Sequence, residues 1–341
     1  TLSLHDALPI SSLPDFDPHH PADAPEEARK DRLTTQSFEL GSVMKLLNVA
    51  MGLATGTVGI DDRIDIAQTL RVDGLPINDF RPKQRVVSVP EALMQSSNIA
   101  NAKIALAAGA AEQRAFLDAF GLTRPVPLET GNVAAPQVPA TWRRSTVATV
   151  AFGHGIAVTP LHLATAVGGL LGPGHPVTPT LLKRDTPVAG DPVVAAEIVR
   201  TMRGLAWRVA TEGSGQQALV DGYLIGGKTG TAEKIGPDGR YMDGRVRSSF
   251  VAVLPIHDPA YLVFVMLDEP VGEGDRPDLY FASWTAAPTV GRIIARMGPL
   301  LGLEPSPAAA VRDLQRWGRV PAATAAEPIE EAADAARRAR G

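Results

Sequence analysis

The hydrophobic period changes once along this chain, and that change narrows the fold more than any other feature. Before residue 213 the apolar residues recur at helical spacing, in stretches broken by loops. After it they fall into short runs at 222–231, 248–254 and 261–267. Turn signals separate the runs: Gly-Pro-Asp-Gly at 236–239 and His-Asp-Pro at 257–259. Runs this short between such turns read as a meander of antiparallel strands. The expected class is therefore α/β of the α+β kind, with helices set against an antiparallel sheet.

The helical part can be divided further. Residues 39–56 read as one helix, with Val43, Leu46, Leu47, Ala50, Leu53 and Ala54 forming its buried face. Ser88-x-x-Glu91 resembles a capping box that opens a short helix ending near Gln95. Residues 98–108 are rich in alanine and helical, which puts Ser96 to Asn98 at a junction between two helices. Thr159-Pro160 is a strong helix start, with the helix running to about Leu171. Residues 192–212 and 286–301 read as further helices. Residues 11–25 are rich in Pro and Asp and read as loop. Residues 305–341 carry no long apolar stripe and read as a flexible, partly helical C-terminal tail. There is no internal repeat.

Composition excludes several classes of function. A chain of 341 residues, 45% hydrophobic and 21% charged, suits one large or two modest globular domains. A net charge of −4 gives no sign of nucleic acid as a partner. The absence of cysteine excludes disulfides, thiolate nucleophiles and Cys-bound zinc. The longest uncharged run, 145–182, contains His154, His162, His175 and several Gly and Pro, so it cannot be one membrane-spanning helix. The sequence opens on Thr1 rather than Met, as a fragment would.

The stretch GYLIGGKTGTAEK (222–234) fits two chemistries. From Gly222 to Thr229 it matches G-x-x-x-x-G-K-[ST], the phosphate-cradling P-loop. That motif needs a strand before its first glycine and a helix after its Lys-Thr. Here Tyr223, Leu224 and Ile225 lie inside the supposed loop, and a turn and another strand follow. The alternative is K-T-G, Lys228 to Gly230, which lines an active-site strand in some serine acyl-enzymes.

That alternative demands partners, and they are present. Ser42-Val43-Met44-Lys45 is S-x-x-K, and Ser96-Ser97-Asn98 is S-x-N. Each motif alone is weak, because S-x-x-K is more often a helix N-cap and S-x-N a capped turn. In order, on suitable elements, the three together are strong. The chemistry explains the residue types. A serine hydroxyl is a poor nucleophile until a base takes its proton, and Lys45 can do so only when neutral. Burial and the charge of Lys228 would both lower its pKa. Ser42 begins a helix, so its N–H has no intrahelical partner. That N–H and the one of Thr231 are the candidate oxyanion hole. Ser96 can relay a proton to the leaving amine, and Asn98 can fix a substrate amide. Lys228, Thr229, Gly230 and Thr231 offer a cation, hydroxyls and close backbone approach for a terminal carboxylate.

At these residues the chain resembles the transpeptidase domain of class B penicillin-binding proteins. SLPDFDP (12–18), FELGSVMK (38–45), EALMQSSNIA (91–100), FGHGIAVTPLHLA (152–164), GGKTGTAEK (226–234) and SFVAVLP (249–255) follow that family in order. DEP (268–270) and AAP (286–288) also fit. The resemblance covers residues 11–304 and lies nearest the cell-division, FtsI-like branch, with the elongation-specific branch as alternative. It implies a β-lactamase/transpeptidase-like fold: an antiparallel sheet flanked by helices, with an all-helical subdomain. It implies D,D-transpeptidation of peptidoglycan stem peptides ending in D-Ala-D-Ala, through an acyl-enzyme on Ser42 that β-lactams would also form. No metal or organic cofactor is implied. The implied partners are a membrane glycosyltransferase and other division proteins, at the periplasmic face of the bacterial inner membrane. Residues 1–10, TLSLHDALPI, do not supply the strand that usually precedes S-x-P and read as foreign to the domain. Leu40 stands where Pro is common and Trp284 where Gly is usual, neither expected to touch a motif residue.

The rivals on the same fold are a serine β-lactamase or D,D-carboxypeptidase, and a β-lactam sensor. A class A β-lactamase needs a deacylating Glu followed four residues on by Asn. Glu129-Thr-Gly-Asn132 is one residue short and reads as a solvated loop. His19-His20 reads as an exposed loop rather than a metal site, His154 as a core residue or one bordering the active site, and Arg247 as solvated.

Overall fold

The computed structural model describes residues 11–80, 85–183, 190–236, 238–272 and 279–319. The leader 1–10 and the end of the tail lie outside them. After two 3-10 turns, Pro21–Asp23 and Glu26–Arg29, comes a helical turn, α1 (Arg32–Thr35). An extended segment and a 3-10 turn, Gly41–Met44, lead into α2 (Lys45–Ala54). Four short strands follow: β1 (Arg63–Asp65), β2 (Leu70–Val72), β3 (Leu75–Ile77) and β4 (Val86–Ser88). They pair as β1 with β4 and β2 with β3. Then come α3 (Val89–Met94), α4 (Asn98–Ala108), α5 (Ala110–Ala119), α6 (Arg144–Val150), α7 (Pro160–Leu171) and α8 (Ala196–Glu212). The antiparallel sheet is β5 (Gly226–Ile235), β6 (Tyr241–Leu254) and β7 (Tyr261–Asp268), in that order, with β5 at its edge. Helices α9 (Ala286–Leu300) and α10 (Ala308–Trp317) close the described chain.

Side chains of β6 alternate between two cores, as a pleated strand requires. Phe250, Ala252 and Leu254 pack with Ala286, Val290 and Ile294 of α9. Val251 and Val253 face the larger core, with Leu205 and Val209 of α8 and Leu46 and Val49 of α2. Helix α2 is buried on every side from Lys45 to Gly52, which makes it a central helix rather than an amphipathic one. The fold is thus the expected antiparallel sheet flanked by helices, with α4, α5 and α6 packed together beside α2.

Several boundaries differ from the sequence reading. The helix expected over 39–56 does not begin at residue 39. Phe38 and Glu39 stay extended, and Phe38 forms a two-way backbone bridge with Val158, at 2.9 and 3.0 Å. Gly41 then turns at φ +59°, a left-handed conformation outside any right-handed helix. The helix expected from residue 192 starts at Ala196, because Val193 and Val194 donate instead to the Gly174 carbonyl. The first long strand starts at Gly226, after a turn at Gly222 (φ +85°), and β6 begins seven residues earlier than its apolar run.

The tail, expected to be flexible and partly helical from residue 305, forms α10, which packs on α8 with Ala310 and Leu314 buried. Gly318 lies so close to Gly204 that a Cβ on Gly204 would meet its nitrogen at 2.1 Å. The seam of Ala310, Val311, Leu314 and Trp317 is too short to stand out as a stripe. Two local signals form as the sequence suggests. Ser88 and Glu91 make a reciprocal capping box, and Thr159 caps α7 through the His162 N–H at 3.2 Å.

Candidate active site

The three motif segments lie on different elements and converge. Ser42 sits in the 3-10 turn, and Lys45 opens α2 one turn later. Ser96 stands in the α3–α4 junction at φ +57°, a left-handed position that is uncommon for a non-glycine residue. Lys228, Thr229, Gly230 and Thr231 lie on the edge strand β5, which packs against the 3-10 turn.

Both lysines are fully buried. Lys45 Nζ lies 2.6 Å from the Ser96 carbonyl, 2.6 Å from Asn98 Oδ1 and 3.1 Å from Ser96 Oγ. Lys228 Nζ lies 3.0 Å from the same Ser96 Oγ and 3.1 Å from the Thr229 carbonyl. Burial holds Lys45 well below the ordinary lysine range, and repulsion from Lys228 adds to this, while Asp79 pulls the other way. Burial lowers Lys228 to about 7. A neutral Lys45 has two N–H bonds and one lone pair. The two carbonyl oxygens at 2.6 Å use both N–H bonds, so the lone pair remains for a hydroxyl proton. The electrostatics therefore suit a base at Lys45, with Ser96 between the two amines.

Asn98 was expected to serve a substrate amide. Here its Oδ1 accepts from Lys45 and its Nδ2 donates to the Asn78 carbonyl at 3.0 Å, so it also orients the lysine. Thr229 Oγ1 lies 2.5 Å from Ser214 Oγ, adding a third hydroxyl beside Thr229 and Thr231.

Backbone packing explains two glycines. A Cβ on Gly230 would stand 2.6 Å from the Leu40 carbonyl and 2.7 Å from Val43 Cγ2. Only a bare Cα lets β5 press against the 3-10 turn. Leu40, expected to touch no motif residue, therefore lies against the K-T-G glycine through its backbone. Gly41 is held between two backbones. A Cβ on it would be 3.0 Å from the Thr231 carbonyl, and a Cβ on Gly153 would be 2.3 Å from the Gly41 carbonyl.

Three residues that sequence reasoning did not mark support the motifs. Asp79 Oδ1 accepts from the Asn98 N–H at 2.6 Å and the Ile99 N–H at 3.1 Å, and its Oδ2 accepts from Ser97 Oγ at 2.7 Å. It caps α4 and fixes the turn that carries Ser96. Ser214 faces Thr229. Glu39, buried to 7% exposure, accepts from the Gly155 N–H at 2.6 Å and from the Tyr241 hydroxyl at 3.0 Å. The only local signal for any of them is that Glu39 lies next to the S-x-x-K motif.

The remaining candidates separate cleanly. His154 stands between Phe152 and Tyr241, each ring centroid 5.4 Å away, and burial lowers its pKa. Arg247 is not solvated, contrary to the reading of its sequence position. Its guanidinium lies 4.7 Å from the Phe38 ring centroid and 3.3 Å from Asp268, because β6 carries it under the extended segment that precedes Ser42. Glu129 accepts from the Leu181 N–H at 2.9 Å and from the Thr180 hydroxyl, which ties two loops together. His20 is exposed and pairs with Asp17 at 2.9 Å. The P-loop match fails in its second half, because β5 begins at Gly226 and runs on to Ile235, so that a strand and not a helix follows Lys228-Thr229.

Comparison with known proteins gives one consistent result. The family described as penicillin binding protein transpeptidase domain matches residues 5–294. The chain is 35% identical over 309 residues to the probable peptidoglycan D,D-transpeptidase FtsI of Caulobacter vibrioides, covering 87% of this chain and 52% of the relative. It is 31% identical over 305 residues to the peptidoglycan D,D-transpeptidase FtsI of Escherichia coli K12, covering 88% and 50%. The solved apo structure of the TP domain from Burkholderia pseudomallei penicillin-binding protein 3 is similar, with a TM-score of 0.75 and 28% identity over 82% of this chain and 84% of that one. The chain spans about half the length of the curated relatives it matches.

Proposed function

Because the chain belongs to the penicillin-binding protein transpeptidase-domain family, we propose that it is the catalytic part of a serine D,D-transpeptidase that cross-links peptidoglycan. The observation that carries the proposal is the convergence of two fully buried lysines on Ser96 Oγ, with Ser42 one helical turn from Lys45. Neutral Lys45 takes the Ser42 proton as Oγ attacks the carbonyl of the penultimate D-Ala. The N–H groups of Ser42 and Thr231 hold the oxyanion. Lys228, Thr229 and Thr231, with Ser214 behind Thr229, hold the terminal carboxylate. Ser96 passes the proton to the departing D-Ala nitrogen. The amine of a second stem peptide then attacks the acyl-enzyme, restoring Ser42 and forming the cross-link. β-Lactams acylate the same serine. The FtsI relatives support a division role, in which the domain works at the periplasmic face of the inner membrane with a membrane glycosyltransferase and other division proteins as partners. Among the described residues no helix is long and apolar enough to cross a membrane.

The test is incubation with a fluorescent penicillin, with the covalent adduct followed over time. A long-lived adduct that disappears in Ser42→Ala is expected. No adduct, or one that survives the substitution, would refute the proposal. Hydrolysis within seconds would support a β-lactamase instead. Glu129, tied to Leu181, argues against that outcome.

A further inference from the structure

Glu39 is the least explained charged group near Ser42. It is a buried carboxylate two residues from the nucleophile's turn, and its two oxygens contact two distant parts of the chain. One accepts from the Gly155 N–H at 2.6 Å, the other from the Tyr241 hydroxyl at 3.0 Å. These contacts belong to a longer seam between residues 38–41 and 153–158. Phe38 bridges Val158 through its backbone, Glu39 holds Gly155, and the Gly41 carbonyl rests on Gly153. On its far side Gly41 rests against the Thr231 carbonyl.

The position of that seam matters because a peptide unit is planar. The Gly41 carbonyl and the Ser42 N–H belong to one peptide plane, so a contact that fixes the carbonyl also aims the N–H. Gly41 itself, at φ +59° and without a Cβ, does little to resist rotation. Outside groups must hold the plane. Gly153 presses on its oxygen, and Glu39 anchors the turn containing Gly153 through Gly155. Tyr241 braces Glu39 from the far end of β6, with its ring against His154, itself a member of the Gly153 turn.

We propose that Glu39, Gly153 and Tyr241 are positioning residues that aim the Ser42 N–H at the oxyanion, by clamping the Gly41–Ser42 peptide between the 153–155 turn and β5. The inference rests on the transpeptidase reading above and adds residues that touch no reacting atom. A carboxylate serves because one small group can accept from an N–H and an O–H at once. Glu39 is buried while Tyr241 is 46% exposed, so the cost of a lost hydrogen bond falls on the carboxylate left without its donor.

The test uses the whole chain and a chromogenic penicillin, separating the dissociation constant of the first complex from the acylation rate constant. The carbonyl band of the acyl-enzyme is read by infrared difference spectroscopy. Stronger oxyanion hydrogen bonds lower that band. Glu39→Ala is expected to slow acylation by about tenfold or more, with dissociation constant changed less than about twofold and the band shifted to higher wavenumber. Glu39→Gln is expected to stay near wild type, because its amide can still accept from Gly155 and donate to the Tyr241 oxygen. Gly153→Ala, whose Cβ collides with the Gly41 carbonyl, should resemble Glu39→Ala. If either variant fails to fold, Tyr241→Phe removes only a hydroxyl, and a slower acylation with the same direction of band shift is expected. A folded Glu39→Ala with wild-type rate and band overturns the proposal. So do equal losses in Glu39→Ala and Glu39→Gln, which would make the charge the active property. Failure of the wild-type protein to form any Ser42 adduct would instead refute the transpeptidase reading.

Discussion

At the scale of the residue, the site is a problem of two buried amines. In the proposed mechanism Lys45 must be neutral to act, and its lowered pKa makes that form available below the ordinary lysine pKa. Acylation by penicillin should therefore rise with pH and reach a plateau well below the pKa of a free lysine, measured as the second-order rate constant across pH. Lys45→Arg, which cannot lose its proton in this range, should reduce that rate by about 10²–10⁴-fold. Lys228 makes a different prediction, for stability. Its folded pKa of about 7 lies below its unfolded value, so between the two the unfolded chain binds more protons. Stability contributed by this residue rises with pH from about 7 toward the ordinary lysine pKa, and its burial cost is greatest below that window. Lys228→Met should then be more stable than wild type at pH 7, with the gap narrowing as pH increases, measured by urea unfolding at several pH values. A gap that widens with pH would refute the assignment.

At the scale of the element, the decisive contact is between β5 and the 3-10 turn. The helix pattern of 39–56 reads correctly for its apolar face but not for its start. Periodicity records which residues face a core. It does not record that Phe38 pairs with Val158, a contact across 120 residues of chain. Gly230 is the pivot of the β5 contact. Gly230→Ala places a Cβ against Leu40 and Val43 and must push β5 from the turn. Overpacking of this kind costs about 1–3 kcal/mol, and acylation should fall about tenfold or more through the displaced Thr231 N–H. Thermal unfolding and acylation kinetics on the same sample check both.

At the scale of the molecule, α10 shows that the domain extends past the end of its recognisable motifs. Leu314, fully buried against α8, should cost about 2–4 kcal/mol when replaced by alanine. The acylation rate of the folded protein should not change, because α10 packs on α8, an element that carries no motif residue; the denaturant midpoint and the rate are the two measurements. The residues of the candidate site were legible in the sequence. Ser42, Lys45, Ser96, Asn98 and Lys228 were all visible as motifs, because spacing along a helix or strand is local and the chemistry belongs to the side chains. The strand order of β5, β6 and β7 was legible as well, since tight turns force neighbours to pair. What no local pattern carries is contact between distant segments. Lys228 reaches Ser96 across 132 residues, and Tyr241 reaches Glu39 across 202. Those contacts decide how deeply the two lysines are buried, which pKa values follow, and which way the Gly41–Ser42 peptide faces. By itself the sequence determined which groups are present and on which elements. Only the tertiary structure decided their protonation and aim, because both depend on what packs around a group rather than on what it is bonded to.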